Sequence, residues 1–461
     1  MVGAGPSGIY AAEALSHAES YAAEVAVLDR LPVPFGLVRY GVAPDHPSIR
    51  SIRHTLERTL ESTGVRFYGD VQIGRDLTVA ELRGCVDAVV YAYGAASDRR
   101  LQIPGEDLAG SIAARELVDW YTGHPDGHPD GHPDGGPATG AVPELIAAAR
   151  EVIVVGAGNV ALDVVRTLVR GVDELAATDM PDEVLAGLDR RNVTDVHVLA
   201  RRGPAYTAFT TKELRELGAL ADVDLVLDPA DLELDESSRL VVARDRLAAR
   251  NLAVFREWAA RPRTDATHRV HLHFWISPQA VLGPDRVRGI EVVGSAVDAH
   301  GFVRPVGQPW TMPAQLVVRA VGYRGLPLPG VPYDEGTGRV PHAEGRVIRD
   351  GALSAGEYVT GWIKRGPTGV IGTNKSDAAE TVASLLADVA ADRLVPGPPG
   401  TSLDALLASR GIAPLDMPAW HRIDAAEIAR GQRHGRPRTT LAHRSELLAA
   451  AHDGTVGPGP A

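Results

Sequence analysis

Two glycine clusters point most directly to chemistry. Gly3, Gly5 and Gly8 in VGAGPSGIY, and Gly156, Gly158 and Ala161 in VVGAGNVALD, share the spacing GxGxx(G/A). The first glycine permits a tight turn after a strand, the second lets backbone approach a pyrophosphate, and the third small residue lets the next helix pack closely on the strand. The downstream helix points unpaired N–H groups and the positive end of its dipole at the phosphates. Two such loops in one chain imply two dinucleotides.

The strand downstream of each loop separates the two. The stretch EVAVLD ends on Asp29, 21 residues beyond Gly8, where a carboxylate would meet ribose hydroxyls. The corresponding stretch after the second loop, VTDVHVLARRGP, ends on Arg201 and Arg202, 40 residues beyond Ala161, a longer interval than is usual. Planar guanidinium forks bind a 2′-phosphate well, and an acid would repel it. A basic pair at a strand end is also an ordinary solvated surface, and the fingerprint ahead of it favours the phosphate. FAD is therefore expected at the first loop and NADP(H) at the second. The expected reaction is hydride exchange between nicotinamide and flavin, with electrons then leaving for an outside acceptor. Cys85 is the single cysteine, which rules out a CxxC pair, an intrachain disulfide and a cysteine-ligated cluster within this sequence.

The positioning elements can be read around these loops. IYAAEALSHAE has helical spacing. Only Met1 and Val2 precede the first loop, so its strand is short: either residues upstream of Met1, the rest of that strand or a further domain, are missing, or the strand is truly absent, in which case weak FAD retention is expected. VDAVVYAYGAAS reads as a strand ending in a small-residue turn, and IPGEDLAG as a loop. TGHPDGHPDGHPDGGPATG reads as a flexible surface loop; its histidines, four apart among Pro and Gly, cannot share a helix face, and no metal is assigned. From 222 to 320 the pattern turns to strands with polar loops. His271 and His273 alternate with apolar residues on one of these strands, which favours a structural role over ligation. In GEYVTGWIKRGPTGVIGTNKSDAAETV, a strand (Tyr358 to Thr360) leads into a Gly-rich loop and a helix with Ser376 as its N-cap candidate. That helix N-terminus is a second place for a cofactor headgroup.

Composition narrows the function classes. A chain of 461 residues favours two domains, and 44% hydrophobic and 23% charged residues are close to the average for globular proteins. No apolar run reaches membrane-span length and no signal peptide opens the chain, so a soluble cytoplasmic protein is expected. Counts of 47 Lys+Arg and 59 Asp+Glu give a formal charge of −12, which argues against nucleic acid or an anionic membrane as partner.

Longer segments carry a resemblance. LDRLPVPFGLVRYGVAPDHPSIRS, VVGAGNVALDVVRTL, ARRGPAYTAFTTKELREL and GWIKRGPTGVIGTNKSDAAETV, in this order and spread over the chain to the RTTLAHRSELLAA tail, resemble the adrenodoxin reductase-like ferredoxin–NADP⁺ reductases of mitochondria and actinobacteria. The resemblance implies an α/β fold of two Rossmann-like, three-layer domains, with the NADP domain inserted into a discontinuous FAD domain. The expected boundaries are 1–105 and 325–461 for FAD, and 106–324 for NADP with the HPDG loop at 123–140. It implies FAD contacts at Gly3, Gly5, Ser7, Gly8, Asp29, Leu37, Ile73, Trp362, Gly369, Val370 and Ile371. Asp29 stands where the family usually has Glu. NADP contacts are implied at Gly156, Ala157, Gly158, Asn159, Val160, Arg201, Arg202, Glu213 and Gly369.

The resemblance also places His46 and Asp163 as a pair near the flavin, with a proton route or nicotinamide orientation as their catalytic role; an ordinary interdomain hydrogen bond is the plainer reading. Electrons would run from NADPH to an acidic ferredoxin, with a cytochrome P450 as a candidate acceptor beyond it. Lys212, Arg215, Arg244, Arg246 and Arg250 are docking candidates or a plain solvated face. Some relatives carry an N-terminal ferredoxin domain. A thioredoxin reductase-like protein is disfavoured by the missing CxxC. An electron-entry subunit resembling the glutamate synthase small subunit, and a non-catalytic nucleotide-binding relic, remain as alternatives.

Overall fold

The computed structural model describes residues 1–18, 21–128, 141–298, 300–394 and 402–453. The chain divides into two compact units, one formed by Met1–Ser97 with Tyr323–Ala461 and the other by Asp98–Gly322. The first junction therefore falls at 97/98 rather than 105/106. The reason is that IPGEDLAG is no linker: Val281 N–H donates to Pro104 O at 2.8 Å and Arg319 Nη1 to Glu106 O at 2.7 Å, fastening it to the inserted unit. Gly105 takes φ +74°, and a Cβ there would stand 1.9 Å from Val281 O.

In the discontinuous unit, Val25–Leu28 pairs in parallel with Val65–Tyr68. A four-stranded sheet runs in the order His342–Ala343, Arg346–Arg349, Ala352–Val359 and Val89–Tyr91. Val2 joins the two sheets by parallel bridges to Leu28 and Tyr91, with Val2 N–H on Val90 O at 2.9 Å and Gly3 N–H on Leu28 O at 2.8 Å. Val2 thus occupies the strand position directly ahead of the first glycine loop. Helix Pro6–Ser16 then buries Gly8, Ile9, Ala11, Ala12 and Leu15; its small residues permit close packing on the helix Thr373–Ala390.

The inserted unit is built on a six-stranded sheet in the order Ser111–Ala113, Leu316–Arg319, Glu151–Val155, Asp195–Ala200, His268–Phe274 and Val223–Leu227. Every pairing in it is parallel. Val152, Ile153 and Val154 are wholly buried, as expected of a strand covered on both faces. A three-stranded antiparallel sheet, Ile276–Leu282, Gly289–Val297 and Val303–Pro313, packs on the parallel one through Ile153, Leu199, Ile290, Val292 and Val317.

Two segments depart from the sequence expectation. The stretch 222–320 is not all strands and loops: it holds the helices Glu236–Arg244 and Arg246–Ala259, capped by Asp235 and Asp245, and the second buries Leu252, Phe255 and Trp258. The start of the HPDG repeat is not a loose surface loop. Pro125–Gly127 is a turn of 3₁₀ helix in which the His124 ring accepts from Asp126 N–H, and His124, Asp126 and His128 are buried. A Cβ on Gly127 would stand 2.6 Å from the Asp119 carbonyl carbon, so glycine is what lets this turn lie against the preceding helix. The remaining repeats, 129–140, lie outside the described residues. No helix among the described residues is long and apolar enough to cross a membrane.

Candidate functional site

The first loop is built to bring backbone close to a ligand. Gly3 has φ +112°, and a Cβ there would meet Ala92 O at 2.6 Å; a Cβ on Gly8 would stand 2.0 Å from Gly3 O. Gly5 is the helix N-cap and has no side-chain cap, leaving first-turn N–H groups to a ligand. Asp29 is half-buried and braces the loop: Oδ2 accepts from Ala4 N–H at 2.8 Å and Oδ1 from Leu31 N–H at 2.9 Å. Burial raises the Asp29 carboxyl, and these two hydrogen bonds oppose the rise. Each oxygen retains a further lone pair for a ribose hydroxyl.

The segment after the last strand of this unit converges on the same loop. Ser7 Oγ donates to Asn374 Oδ1 at 3.0 Å, and Arg365 Nη2 donates to the same oxygen at 2.9 Å. Gly361, at φ +78°, lies so close that a Cβ would stand 2.2 Å from Ser7 Oγ, while its N–H donates to Asp377 Oδ2 at 2.5 Å. Asp377 also holds Lys364 Nζ at 3.0 Å. Trp362 stacks on Tyr323, centroids 5.6 Å apart. Gly369 and Val370 are exposed, Ile371 is half-buried, and Leu37 is exposed. Exposed apolar side chains beside a glycine loop fit the rim of a ring-binding site.

One expectation shifts here: the helix begins at Thr373 with Gly372 as N-cap, and Ser376 is inside the first turn, its Oγ donating to Thr373 O. Ile73 is buried and packs among Val71, Leu77 and Val79.

The second loop repeats the geometry in the inserted unit. Gly156 has φ +139°, and a Cβ there would stand 2.2 Å from Ala320 O, whereas a Cβ on Gly158 would meet nothing within 4 Å. The space in front of Gly158 is the cradle a pyrophosphate needs. Ala161 is fully buried. Ala157 O accepts from Ala208 N–H and Asn159 Oδ1 from Thr210 N–H, both at 2.9 Å; Val160 lies next in the helix Asn159–Val169. Arg201 is exposed. Arg202 donates to Gly301 O at 3.1 Å and its guanidinium lies 5.5 Å from the centre of the Tyr206 ring, which fixes its orientation.

Glu213 and Asp163 meet on one cation. The buried Arg166 donates through Nη1 to Glu213 Oε2 at 2.7 Å and through Nη2 to Asp163 Oδ1 at 2.6 Å. Glu213 therefore braces the helix behind the glycine loop. His46 is buried in the other unit at the N-cap of Pro47–Arg50, so the expected pair is divided between the two units. Lys212, Arg215, Arg244, Arg246 and Arg250 are all exposed on three helices of the inserted unit. Lys212 pairs with Glu216 at 3.6 Å, and Thr211 Oγ1 on Asn251 Oδ1 joins two of these helices.

Residues not singled out in the sequence also support the first loop. Arg39, in the PFGLVR segment, ion-pairs with Glu427, whose Oε2 accepts from Arg438 Nη2 at 2.8 Å and whose Oε1 accepts from Leu441 N–H at 2.9 Å. Burial alone would raise Glu427, but Arg39 and Arg438 outweigh it and hold the carboxyl at about 2. Phe35 packs edge-on against Trp420 at 5.3 Å. No spacing in the sequence signals these partners.

A unit with a glycine loop braced by an acid, and a second with a glycine loop and an arginine pair, define a flavoprotein oxidoreductase of the pyridine nucleotide-dependent class. Residues 1–228 match the family model described as pyridine nucleotide-disulphide oxidoreductase. The chain is 42% identical over 464 residues to NADPH-ferredoxin reductase FprA of Mycobacterium leprae, covering 98% of each chain. It is 40% identical to the mitochondrial NADPH:adrenodoxin oxidoreductase of Bos taurus, covering 97% of this chain and 90% of the relative. The solved structure of Mycobacterium tuberculosis FprA in complex with NADPH matches at TM-score 0.89 with 41% identity, covering 98% of both chains. The chain belongs to the FprA and adrenodoxin reductase family of ferredoxin–NADP⁺ reductases.

Proposed function

We propose that this chain is a ferredoxin–NADP⁺ reductase that takes hydride from NADPH and delivers electrons to an acidic iron–sulfur protein of ferredoxin type. The observation that carries this function is the pair of glycine cradles in separate units, one braced by Asp29 and the other followed by Arg201 and Arg202. FAD, when bound, supplies the conversion of a two-electron hydride into single electrons. Gly3, Gly5, Ser7 and Gly8 hold its pyrophosphate, Asp29 its ribose, and Leu37, Trp362 and Gly369–Ile371 border its ring. Gly156–Val160 hold the pyrophosphate of NADPH, and Arg201 and Arg202 its 2′-phosphate, with Gly369 toward the nicotinamide. His46 and Asp163 are assigned to nicotinamide orientation and proton traffic; hydride transfer itself needs no protein acid.

Docking of ferredoxin is assigned to Lys212, Arg215, Arg244, Arg246 and Arg250, the compartment to the cytoplasm, and the acceptor beyond ferredoxin to a protein of cytochrome P450 type. The purified protein is expected to be yellow and to be bleached anaerobically by NADPH much faster than by NADH. A correctly folded protein without flavin, or a flavin that NADPH leaves oxidised, refutes the enzyme and favours a nucleotide-binding relic. R201A/R202A should raise KM for NADPH about 10- to 100-fold, the loss of one or two charge-assisted hydrogen bonds, and leave NADH turnover nearly unchanged. Equal losses with both nucleotides would overturn the 2′-phosphate assignment.

A further inference from the structure

The inserted unit holds a cluster that the redox chemistry does not use. Parallel pairing of Asp195–Ala200 with His268–Phe274 sets His197 opposite His271 and Leu199 opposite His273, so all three histidines share one face of the sheet. His197 Nδ1 lies 3.0 Å from His273 Nε2, the His197 and His271 rings stack with centroids 4.3 Å apart, and one nitrogen from each of the three residues lies within 4.8 Å of the others. The side chains of His197 and His271 are 14% and 19% exposed, sheltered but reachable by a small ion.

The far nitrogens are held in the manner of metal ligands. His197 Nε2 lies 3.3 Å from Glu151 Oε2, and His271 Nε2 lies 2.9 Å from Asp195 Oδ1. A histidine ligand usually gives its second ring nitrogen to a carboxylate, which fixes the tautomer and makes the inward nitrogen a better donor. Here two of three imidazoles have that arrangement, which leaves Nδ1 of each for an ion. The cations facing the cluster are Arg269, engaged by Asp195 at 2.6 Å, and Arg263; the carboxylates of Glu151 and Asp195 offset both.

We propose that His197, His271 and His273 form a binding site for one divalent transition-metal ion of the zinc type, with Glu151 and Asp195 as the groups that orient the rings. Bonds of about 2.0–2.1 Å in a tetrahedron place the ligand nitrogens ~3.3 Å apart. The His197–His273 pair therefore has to open by only a few tenths of an ångström, whereas the His271 ring, stacked on His197 at an interplanar angle of 18°, has to turn out of the stack, with Asp195 moving with it, to aim Nδ1 at the ion. Water completes the fourth position. The ion would tie two central strands of the inserted unit together and take no part in electron transfer, since zinc has no redox chemistry.

The test uses the FAD-loaded protein. After incubation with Zn²⁺ and desalting, the wild type should retain one zinc per chain beyond what H271Q/H273Q retains, and its thermal unfolding should shift upward with Zn²⁺ as linkage requires. Co²⁺ should give a tetrahedral absorption band at wavelengths longer than those of the flavin, absent from the double variant. E151Q should fold normally and weaken the ion about 10-fold or more. If the double variant, with normal flavin content, holds as much zinc as the wild type, or if the wild type shows neither excess zinc nor a cobalt band, the site is refuted.

Discussion

Glu427→Gln is the sharpest probe of how the first cofactor loop is supported. Glu427 is wholly buried, and its two oxygens serve Arg39, Arg438 and the Leu441 N–H. Its carboxyl is held at about 2 against an ordinary value of 4.5, a difference worth about 3 kcal/mol at roughly 1.36 kcal/mol per tenfold change in proton affinity. Because the folded-state value is depressed, this stabilisation is complete above about pH 4.5 and is lost as pH falls from there through about 2. Gln keeps the shape but leaves the buried Arg39 guanidinium without a counter-charge and Arg438 with Asp424 alone, and stranding a buried charge costs about 3–5 kcal/mol. In a unit of this size each kcal/mol moves the midpoint by roughly 2–4 °C, so a fall of about 10 °C is expected. The assay is the rise in flavin fluorescence as FAD escapes on heating at about pH 7, repeated down to about pH 3. The wild type should lose its advantage over E427Q progressively below about pH 4.5. A variant that releases FAD within about 2 °C of the wild type at neutral pH would refute the reasoning.

Other predictions separate the two loops and test docking. G8A places a Cβ 2.0 Å from Gly3 O, and the purified variant should carry much less flavin per chain, read from its absorbance ratio. G158A meets no protein atom within 4 Å; it should retain normal flavin and stability while KM for NADPH rises severalfold, read by steady-state kinetics. Raising salt from about 0.05 to about 0.5 M should slow ferredoxin-dependent cytochrome c reduction and spare NADPH–ferricyanide turnover, because screening weakens charge-steered encounter. R244A/R246A/R250A should flatten that salt dependence, and an unchanged slope would return these arginines to the solvated surface.

The features legible in the sequence are local ones. Gly3 to Gly8, Asp29, Gly156 to Ala161 and the Arg201–Arg202 pair each lie within a strand, turn and helix of contiguous residues, so spacing alone identifies them. The supports are hidden because their partners are distant: Arg39 and Glu427 are 388 residues apart, and the partner of His271 and His273 is His197 on another strand. Asp163 and Glu213 are named only by the family resemblance, and Arg166, the cation that joins them, reads as one more charge on a helix until its burial is known. The first HPDG unit misleads for a different reason. A Pro/Gly-rich composition predicts an irregular backbone correctly, yet says nothing about whether that backbone packs, and Gly127 is what allows it to do so. Gly372, not Ser376, precedes the helix; the Ser376 hydroxyl donates back to Thr373 O within the first turn instead of capping it.

The two loops obey the same steric rule and differ in what closes over them, and that difference bears on which nucleotide stays and which exchanges. The first is covered by chain from three remote parts of its unit. Gly36 approaches so closely that a Cβ on it would stand 3.0 Å from the Gly5 Cα. Asn374 holds Ser7, and the Glu427 network fixes the segment from Phe35 to Arg39 beneath the helix that carries Trp420. Releasing a ligand from such a site requires several of these contacts to open together. In the inserted unit Gly158 faces open space and Arg201 is exposed, so a nucleotide there is held mainly by groups that water can replace. The packing therefore predicts retention of the flavin at the first loop and exchange of the nucleotide at the second, the asymmetry a reductase needs if its flavin is to survive each cycle in which the nicotinamide departs.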